Sequence, residues 1–170
     1  MTEEDRAAIA RINAALARLA RSYVVLEITG GCALLGYVIW TLASHRWQLA
    51  FVGIIGLLSL VSVLDNSPFR TRRLLHAGLV VKPRAPFVVS VEDHSLSISA
   101  FHTGISIPLN DISGATFFFL DSTTETRGLA DVLHLQWQDS LIRIPSSADG
   151  FQALLQWLEQ RDQLQRIDLQ

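Results

Sequence analysis

The chain has few of the residues that build disulfides, metal sites and nucleic-acid surfaces. Its single cysteine, Cys32, excludes both an intrachain disulfide and a cysteine-based metal site. The formal net charge is -2, and the segment after Asp65 holds nine basic and eleven acidic residues. A nucleic-acid surface needs concentrated positive charge, because its ligand is a polyanion. We therefore predict no nucleic-acid partner.

Motifs of catalysis and phosphate binding are also missing. The chain has no G-x-x-x-x-G-K-[ST] or G-x-G-x-x-G loop and no G-x-S-x-G nucleophile elbow. Its histidines lack the H-E-x-x-H spacing of a metal site. They are His45, His76, His94, His102 and His134. Lys82 and Arg84 are too few for a lipid-headgroup site. Because these motifs are missing, the sequence predicts no enzyme, catalytic residue, metal, cofactor or small-molecule substrate.

Charge is scarcest between residues 22 and 64, where only Glu27 and Arg46 interrupt the apolar sequence. Residues 22–44 are long enough, at about 1.5 Å per residue, to cross a hydrocarbon core of about 30 Å. Residues 47–64 form a second, shorter apolar run. Because two residues separate the runs, we predict a transmembrane helical hairpin over residues 22–65. The first run is too long for a signal peptide.

Basic residues flank this hairpin on its outer side. They are Arg6, Arg11, Arg18 and Arg21 before it and Arg70, Arg72 and Arg73 after it. Cytoplasmic flanks are enriched in Lys and Arg, so both termini are predicted on the cytoplasmic side of a bacterial inner membrane. The cluster of Arg70, Arg72 and Arg73 is also a candidate partner or membrane contact, although topology alone would explain it.

Small residues and one acid lie within the two runs. Small residues let membrane helices approach closely, either within the hairpin or in an oligomer or larger membrane complex. The candidates are Gly30, Gly31, Gly36, Gly53 and Gly56. Glu27 is a candidate intramembrane polar residue. Its alternative roles are snorkelling to the interface and pairing with a nearby arginine.

Two further helices are predicted around the hairpin. Over residues 1–21, Thr2 caps an amphipathic cytoplasmic helix with an apolar stripe at Ile9, Ile12, Leu16 and Leu19. That helix could lie on the membrane surface, on the soluble domain or on a partner. Residues 66–78 read as a linker helix, with Pro68 in its first turn and Gly78 after its end.

From residue 79 onward the apolar period is two, which is typical of strands. Short connections favour a mainly antiparallel sheet of about seven strands. The predicted strands are residues 79–82, 87–91, 95–101, 105–109, 112–120, 132–137 and 141–144. A last helix is signalled by a cap at Ser146 or Ser147 and by apolar residues from Phe151 to Leu158.

These elements predict an α+β membrane protein. Its N-terminal transmembrane hairpin precedes a pleckstrin-homology-like antiparallel β domain over residues 79–170, closed by a C-terminal helix. The segments RTRRLLHAGLVVKP, VSVEDHSLSIS, ISIPLNDISGATF and LIRIPSSADGFQALLQWLEQR carry a resemblance along most of the chain. The chain resembles the YcxB-like family of bacterial membrane proteins, whose soluble part is a pleckstrin-homology-type domain. The resemblance implies this fold and topology, and no reaction.

Three consecutive phenylalanines mark the strand over residues 112–120. Neighbouring strand residues point to opposite faces, so the three rings cannot all enter one core. Counting by two from Ile112 places Phe118 inward and leaves Phe117 and Phe119 outward as a candidate partner or membrane contact.

We therefore expect a membrane-anchored, non-enzymatic interaction module, an accessory or regulatory subunit that recruits or positions a protein partner at the cytoplasmic face. The partner could belong to a larger membrane complex, or the chain could form a homo-oligomer. The alternative is an intramembrane sensor or immunity-type factor that acts through the hairpin.

Overall fold

The computed structural model describes residues 1–44, 48–49, 51–55, 74–76, 78–120 and 129–169. It divides the chain into two units: Met1–Ala20 with Leu75–Gln170, and Arg21–Leu74. The chain is α+β, with a long N-terminal helix and mainly antiparallel sheets. Some predicted features lie outside the described residues: Arg46, Gly56, Arg70, Arg72, Arg73, the side chain of Glu27, and most of the second apolar run and the linker helix.

Helix α1, Glu3–Ala43, covers both the predicted amphipathic helix and the first apolar run. It begins at a reciprocal cap. The Thr2 hydroxyl accepts a hydrogen bond from the Asp5 amide at 3.1 Å, and the Thr2 amide donates to the Asp5 carboxylate at 2.8 Å. The acidic first turn, Glu3 to Asp5, also suits the positive end of the helix dipole.

The first five turns of α1 belong to the β-rich unit. Ile9, Ile12 and Leu16 are buried in its main core, so this stripe packs on the protein's own domain. The side chain of Asn13 then bonds the backbone of a strand over residues 140–145. Its amide donates to the Leu141 carbonyl at 2.7 Å, and its oxygen accepts from the Arg143 amide at 3.3 Å.

In the described part of the chain, nine strands form three sheets. They are β1 Val80–Val81, β2 Phe87–Val91, β3 Ser95–Ala100, β4 Thr103–Pro108, β5 Ile112–Phe119, β6 Leu129–Ala130, β7 Val132–Trp137, β8 Ser140–Pro145 and β9 Leu164–Asp168. The strand orders are β1-β6, β2-β3-β4 and β8-β7-β5-β9. All strand pairs are antiparallel except β5 with β9. The alternating apolar residues thus place most strands correctly.

Two strands, β6 and β9, were not predicted from the sequence. β6 is very short, and β9 follows the last helix, so the prediction that this helix closes the fold is wrong. In β9 the apolar residues Leu164 and Ile167 are three positions apart, which hides the period of two. The chain reverses at Asp162, where φ is 52°, and this turn lays β9 beside β5.

Helix α2, Phe151–Glu159, buries Phe151, Leu154, Leu155 and Leu158 as predicted. Its N-cap is Gly150, so the prediction of Ser146 or Ser147 as the cap is wrong. The serines lie in a turn that comes first, where the Ser146 amide donates to the Asp131 carbonyl at 2.8 Å. Asp149 then pairs with the edge of β2 before the helix begins.

In the second unit, α1 is the described helix that is long and apolar enough to cross a membrane. It exposes large apolar side chains, among them Val25, Leu26, Ile28, Leu35, Ile39 and Trp40. Gly53 lies against it, because a Cβ there would be 2.9 Å from Val38 Cγ2. By contrast, a Cβ at Gly30, Gly31 or Gly36 would meet no described atom within 4 Å.

Candidate interaction site

The three phenylalanines of β5 lie on the faces opposite to those predicted. Phe117 is 9% exposed and belongs to the main core. Its ring centroid lies 5.6 Å from those of both Phe119 and Phe151. The prediction of an outward Phe117 and Phe119 is therefore wrong. The cause is a β-bulge between Ile112 and Gly114, which inserts one residue and inverts the alternation beyond it.

Phe118 instead lies on the outer face of the four-stranded sheet. It packs with a small second cluster formed by Val80, Ala130 and Val132. The two-stranded sheet β1-β6 supplies Val80 and Ala130, so it covers this end of the outer face. Beyond this end, the outer face carries an open depression.

The uncovered part carries a row of polar side chains across all four strands. The strand registers place Gln165, Thr116, His134 and Arg143 side by side, from β9 through β5 and β7 to β8. In the next row, Gly114 of β5 is opposite Gln136 of β7. Because glycine has no side chain, the sheet is hollow there. The resulting open depression has a volume of about 350 Å³. It is lined by Ser113, Gly114, Ala115, Thr116, Phe118, His134, Gln136, Leu141, Gln163 and Gln165.

His134 is the most perturbed titratable group of this depression. Its burial, together with the nearby positive charge of Arg143, lowers the pKa of His134 to about 4. The imidazole is therefore neutral at pH 7. Its ring lies 4.6 Å from the ring of Phe118, centroid to centroid.

Two polar atoms of the depression are buried and lack a hydrogen-bond partner among the described residues: His134 Nε2 and Gln163 Oε1. A buried polar group without a partner costs about 1–3 kcal/mol, so these two atoms would gain from a ligand if their side chains turned toward the opening. The other polar side chains, such as Thr116 and Gln136, are also uncharged. The depression therefore suits neutral hydrogen-bonding groups, such as the amides of a peptide.

We expect His134 to make the fold sensitive to mild acid. The unfolded histidine takes up a proton near pH 6.5 and the folded one only near pH 4, so stability should fall as pH decreases between these values. Urea unfolding of the full chain in mild detergent, at about pH 7.5 and pH 5, measures this. His134→Gln should lose less stability between the two conditions. Burial raises the pKa of Asp131, and the contribution of Asp131 to the pH dependence of stability is the same in both proteins. An equal loss of stability in both proteins would contradict the assignment of the acid sensitivity to His134.

Of the site residues predicted from sequence, none that the structure describes lines the depression. Phe117 and Phe119 are on the core side, and the glycines of the apolar runs belong to the other unit. The sequence does carry a signal for the outer face of β7, which is the alternation in VLHLQW. There His134 and Gln136 occupy the positions between buried Leu133, Leu135 and Trp137.

Within the described ranges, no three His, Cys, Asp or Glu side chains are grouped so that they could hold a metal ion. Comparison of the chain with protein-family models, curated proteins and solved structures finds no match.

Proposed function

We propose that this protein is a membrane-anchored, non-enzymatic interaction module that recruits or positions a protein partner at the cytoplasmic face of the bacterial inner membrane. The observation that carries the proposal is the depression on β5 and β7, an uncharged hollow with two unpartnered buried polar atoms. In this proposal the β-rich unit is a pleckstrin-homology-like domain of the YcxB-like type, with the strand β9 added after its helix.

The depression fits an extended peptide segment of the partner. Gln165, Thr116 and His134 form an uncharged row across β9, β5 and β7 that offers hydrogen-bond donors and acceptors, and Arg143 on β8 adds donors at the end of that row. The neighbouring ring of Phe118 supplies an apolar wall beside His134. Neutral His134 can accept or donate one hydrogen bond, which matches an amide better than a carboxylate.

The membrane anchor of the proposal is a hairpin made of residues 22–44 and 47–64. Exposed apolar side chains on α1 support the first span. The close approach of Gly53 to Val38 supports an antiparallel return of the chain, since small residues allow such contacts. The arginine flanks, including Arg70, Arg72 and Arg73, support cytoplasmic termini.

Photo-crosslinking in intact cells tests the function. A benzophenone amino acid at Gln136 should give one discrete adduct with a protein of different mass. Gly114→Leu should abolish this adduct, because a side chain there meets open space and fills the hollow. Ser99→Leu, on an exposed position of another sheet, is the matched control. The same adduct pattern from a benzophenone at Ser99 would refute a specific site.

The same experiment separates the alternative function. A sensor or immunity-type factor that acts within the bilayer would crosslink through its hairpin. Discrete adducts from Gly36, with none from Gln136, would favour that alternative and count against the depression.

Cysteine labelling tests the topology. In a Cys32→Ser background, Ser44→Cys should react with an impermeant maleimide from the periplasm. Asp139→Cys, in an exposed turn between β7 and β8, should react only after the inner membrane is opened. The opposite labelling pattern would reverse the proposed orientation.

A further inference from the structure

We propose that strand β4 is a self-association interface, where two copies of the chain pair edge to edge and antiparallel about Ile105. This interface lies on the three-stranded sheet, away from the depression on the four-stranded sheet, and is independent of the function proposed for it.

Three of the four outer strands of the two larger sheets have their edges occupied or charged. The β2 edge is bonded by Asp149, whose carbonyl accepts from the Val89 amide at 2.8 Å. The β8 edge is bonded by Asn13 of α1. The β9 edge carries Arg166, which is ion-paired with Glu159 of α2. Such features protect edge strands from pairing with other chains.

The fourth outer strand, β4, has none of these protections. Its sequence TGISIP contains no charge, and Gly104 and Ser106 are exposed. Among the described residues, no strand pairs with β4 on the side away from β3. An uncharged edge offers no electrostatic selectivity for a foreign peptide, and it does not repel a copy of itself.

The register with β3 fixes which backbone groups of β4 face outward. A two-residue turn at Phe101 and His102 joins the strands, so Ala100 and Thr103 form the first hydrogen-bonded pair. In an antiparallel ladder such pairs alternate with non-bonded ones. The backbone groups of Gly104 and Ser106 therefore point away from β3.

These outward groups are complementary to themselves in one register. Antiparallel pairing about Ile105 sets Gly104 of each copy opposite Ser106 of the other. All the N–H and C=O groups of these four residues can then form hydrogen bonds, four in total. Pairing about Ser106 would set Gly104 opposite Pro108, which has no N–H to donate, so the Gly104 carbonyl of each copy would lack a partner. Proline thus disfavours that register relative to the one about Ile105.

The resulting assembly is a six-stranded sheet. Its outer face would join the Ser97, Ser99 and Ser106 side chains of both copies into one uncharged surface. The inward Ile105 side chains of the two copies would be adjacent across the new strand pair.

Disulfide crosslinking in membranes tests this register. Full-length chains with Cys32→Ser and either Gly104→Cys or Ser106→Cys carry tags of different size and are co-expressed. Oxidation should give the mixed Gly104→Cys to Ser106→Cys dimer in at least about fivefold excess over either like pair, because only the mixed pair brings directly opposite residues together. Ser99→Cys, one strand further from the interface, should not crosslink.

A second measurement separates pairing from folding. Ser106→Pro removes the outward N–H but none of the N–H groups that bond β3, whereas Ser106→Ala keeps the outward N–H. In mild detergent, the measured mass should be that of a dimer for the natural chain and Ser106→Ala, and of a monomer for Ser106→Pro. A monomeric natural chain, a dimeric Ser106→Pro variant, or a foreign segment copurifying on β4 without dimer would overturn the proposal. Should Ser106→Pro fail to fold, the crosslinking pattern decides alone.

Discussion

Replacing Phe117 with alanine should destabilise the full chain by about 3–5 kcal/mol, the usual cost of truncating a buried phenylalanine. Phe117 joins β5 to α2 through its contact with Phe151, and stacks on Phe119. Its removal leaves a cavity between the sheet and the helix. Urea unfolding in mild detergent, followed by tryptophan fluorescence, measures the loss, since Trp137 is buried in the same core.

Phe118→Ala is the matched control, because it removes the same ring from the next residue of the strand. Phe118 is only half buried and packs with the small cluster of β1 and β6. Its loss should cost less, about 1–2 kcal/mol. A larger loss for Phe118→Ala than for Phe117→Ala would restore the face assignment made from the sequence.

Gly150→Ala should destabilise the protein by about 3 kcal/mol or more, because two costs add. Gly150 has φ of 80°, a left-handed conformation that disfavours a side chain. In addition, a Cβ at this position would lie 1.9 Å from the carbonyl oxygen of Val89. The variant must therefore move the start of α2 away from β2, and thermal unfolding of the full chain should report this directly.

Two other glycines separate the cost of a positive φ from the cost of steric overlap. At Gly78, φ is 127°, but the nearest atom to a Cβ is Phe118 Cγ at 3.5 Å, so Gly78→Ala tests conformational strain with room available. At Gly114 a Cβ meets open space without a positive φ, so Gly114→Ala tests neither cost. We expect the destabilisation to increase from Gly114 to Gly78 to Gly150. Equal effects at Gly78 and Gly150 would show that the close contact with Val89 is unimportant.

Most of the β-rich unit could be predicted from the sequence because its strands alternate strictly. The bounds of β2 and β7 match the predicted ranges 87–91 and 132–137. The apolar stripe on α2 was equally clear. These elements are specified by local spacing, which is the information that a single sequence carries most directly.

The candidate site could not be predicted, because it depends on one inserted residue. The bulge after Ile112 has no distinctive residue of its own, although Gly114 favours it. Without that bulge, the faces of Thr116 and Phe117 are both assigned wrongly, so the outer row that continues to His134 is not recognised. β9 was missed for a related reason: its place beside β5 depends on the turn at Asp162 and not on its own alternation.

The hydrogen bonds between Asn13 and β8 constrain the order in which the domain folds during synthesis. The two partners are 128 residues apart in the chain, and the whole apolar segment lies between them. During synthesis the first twenty residues leave the ribosome long before β8 exists, with Ile9, Ile12 and Leu16 unburied. The domain can therefore close only after translation is almost complete, when any membrane insertion of the intervening segment has already taken place. Until then, the amphipathic start of α1 needs another surface, and a lipid interface would suit its apolar stripe.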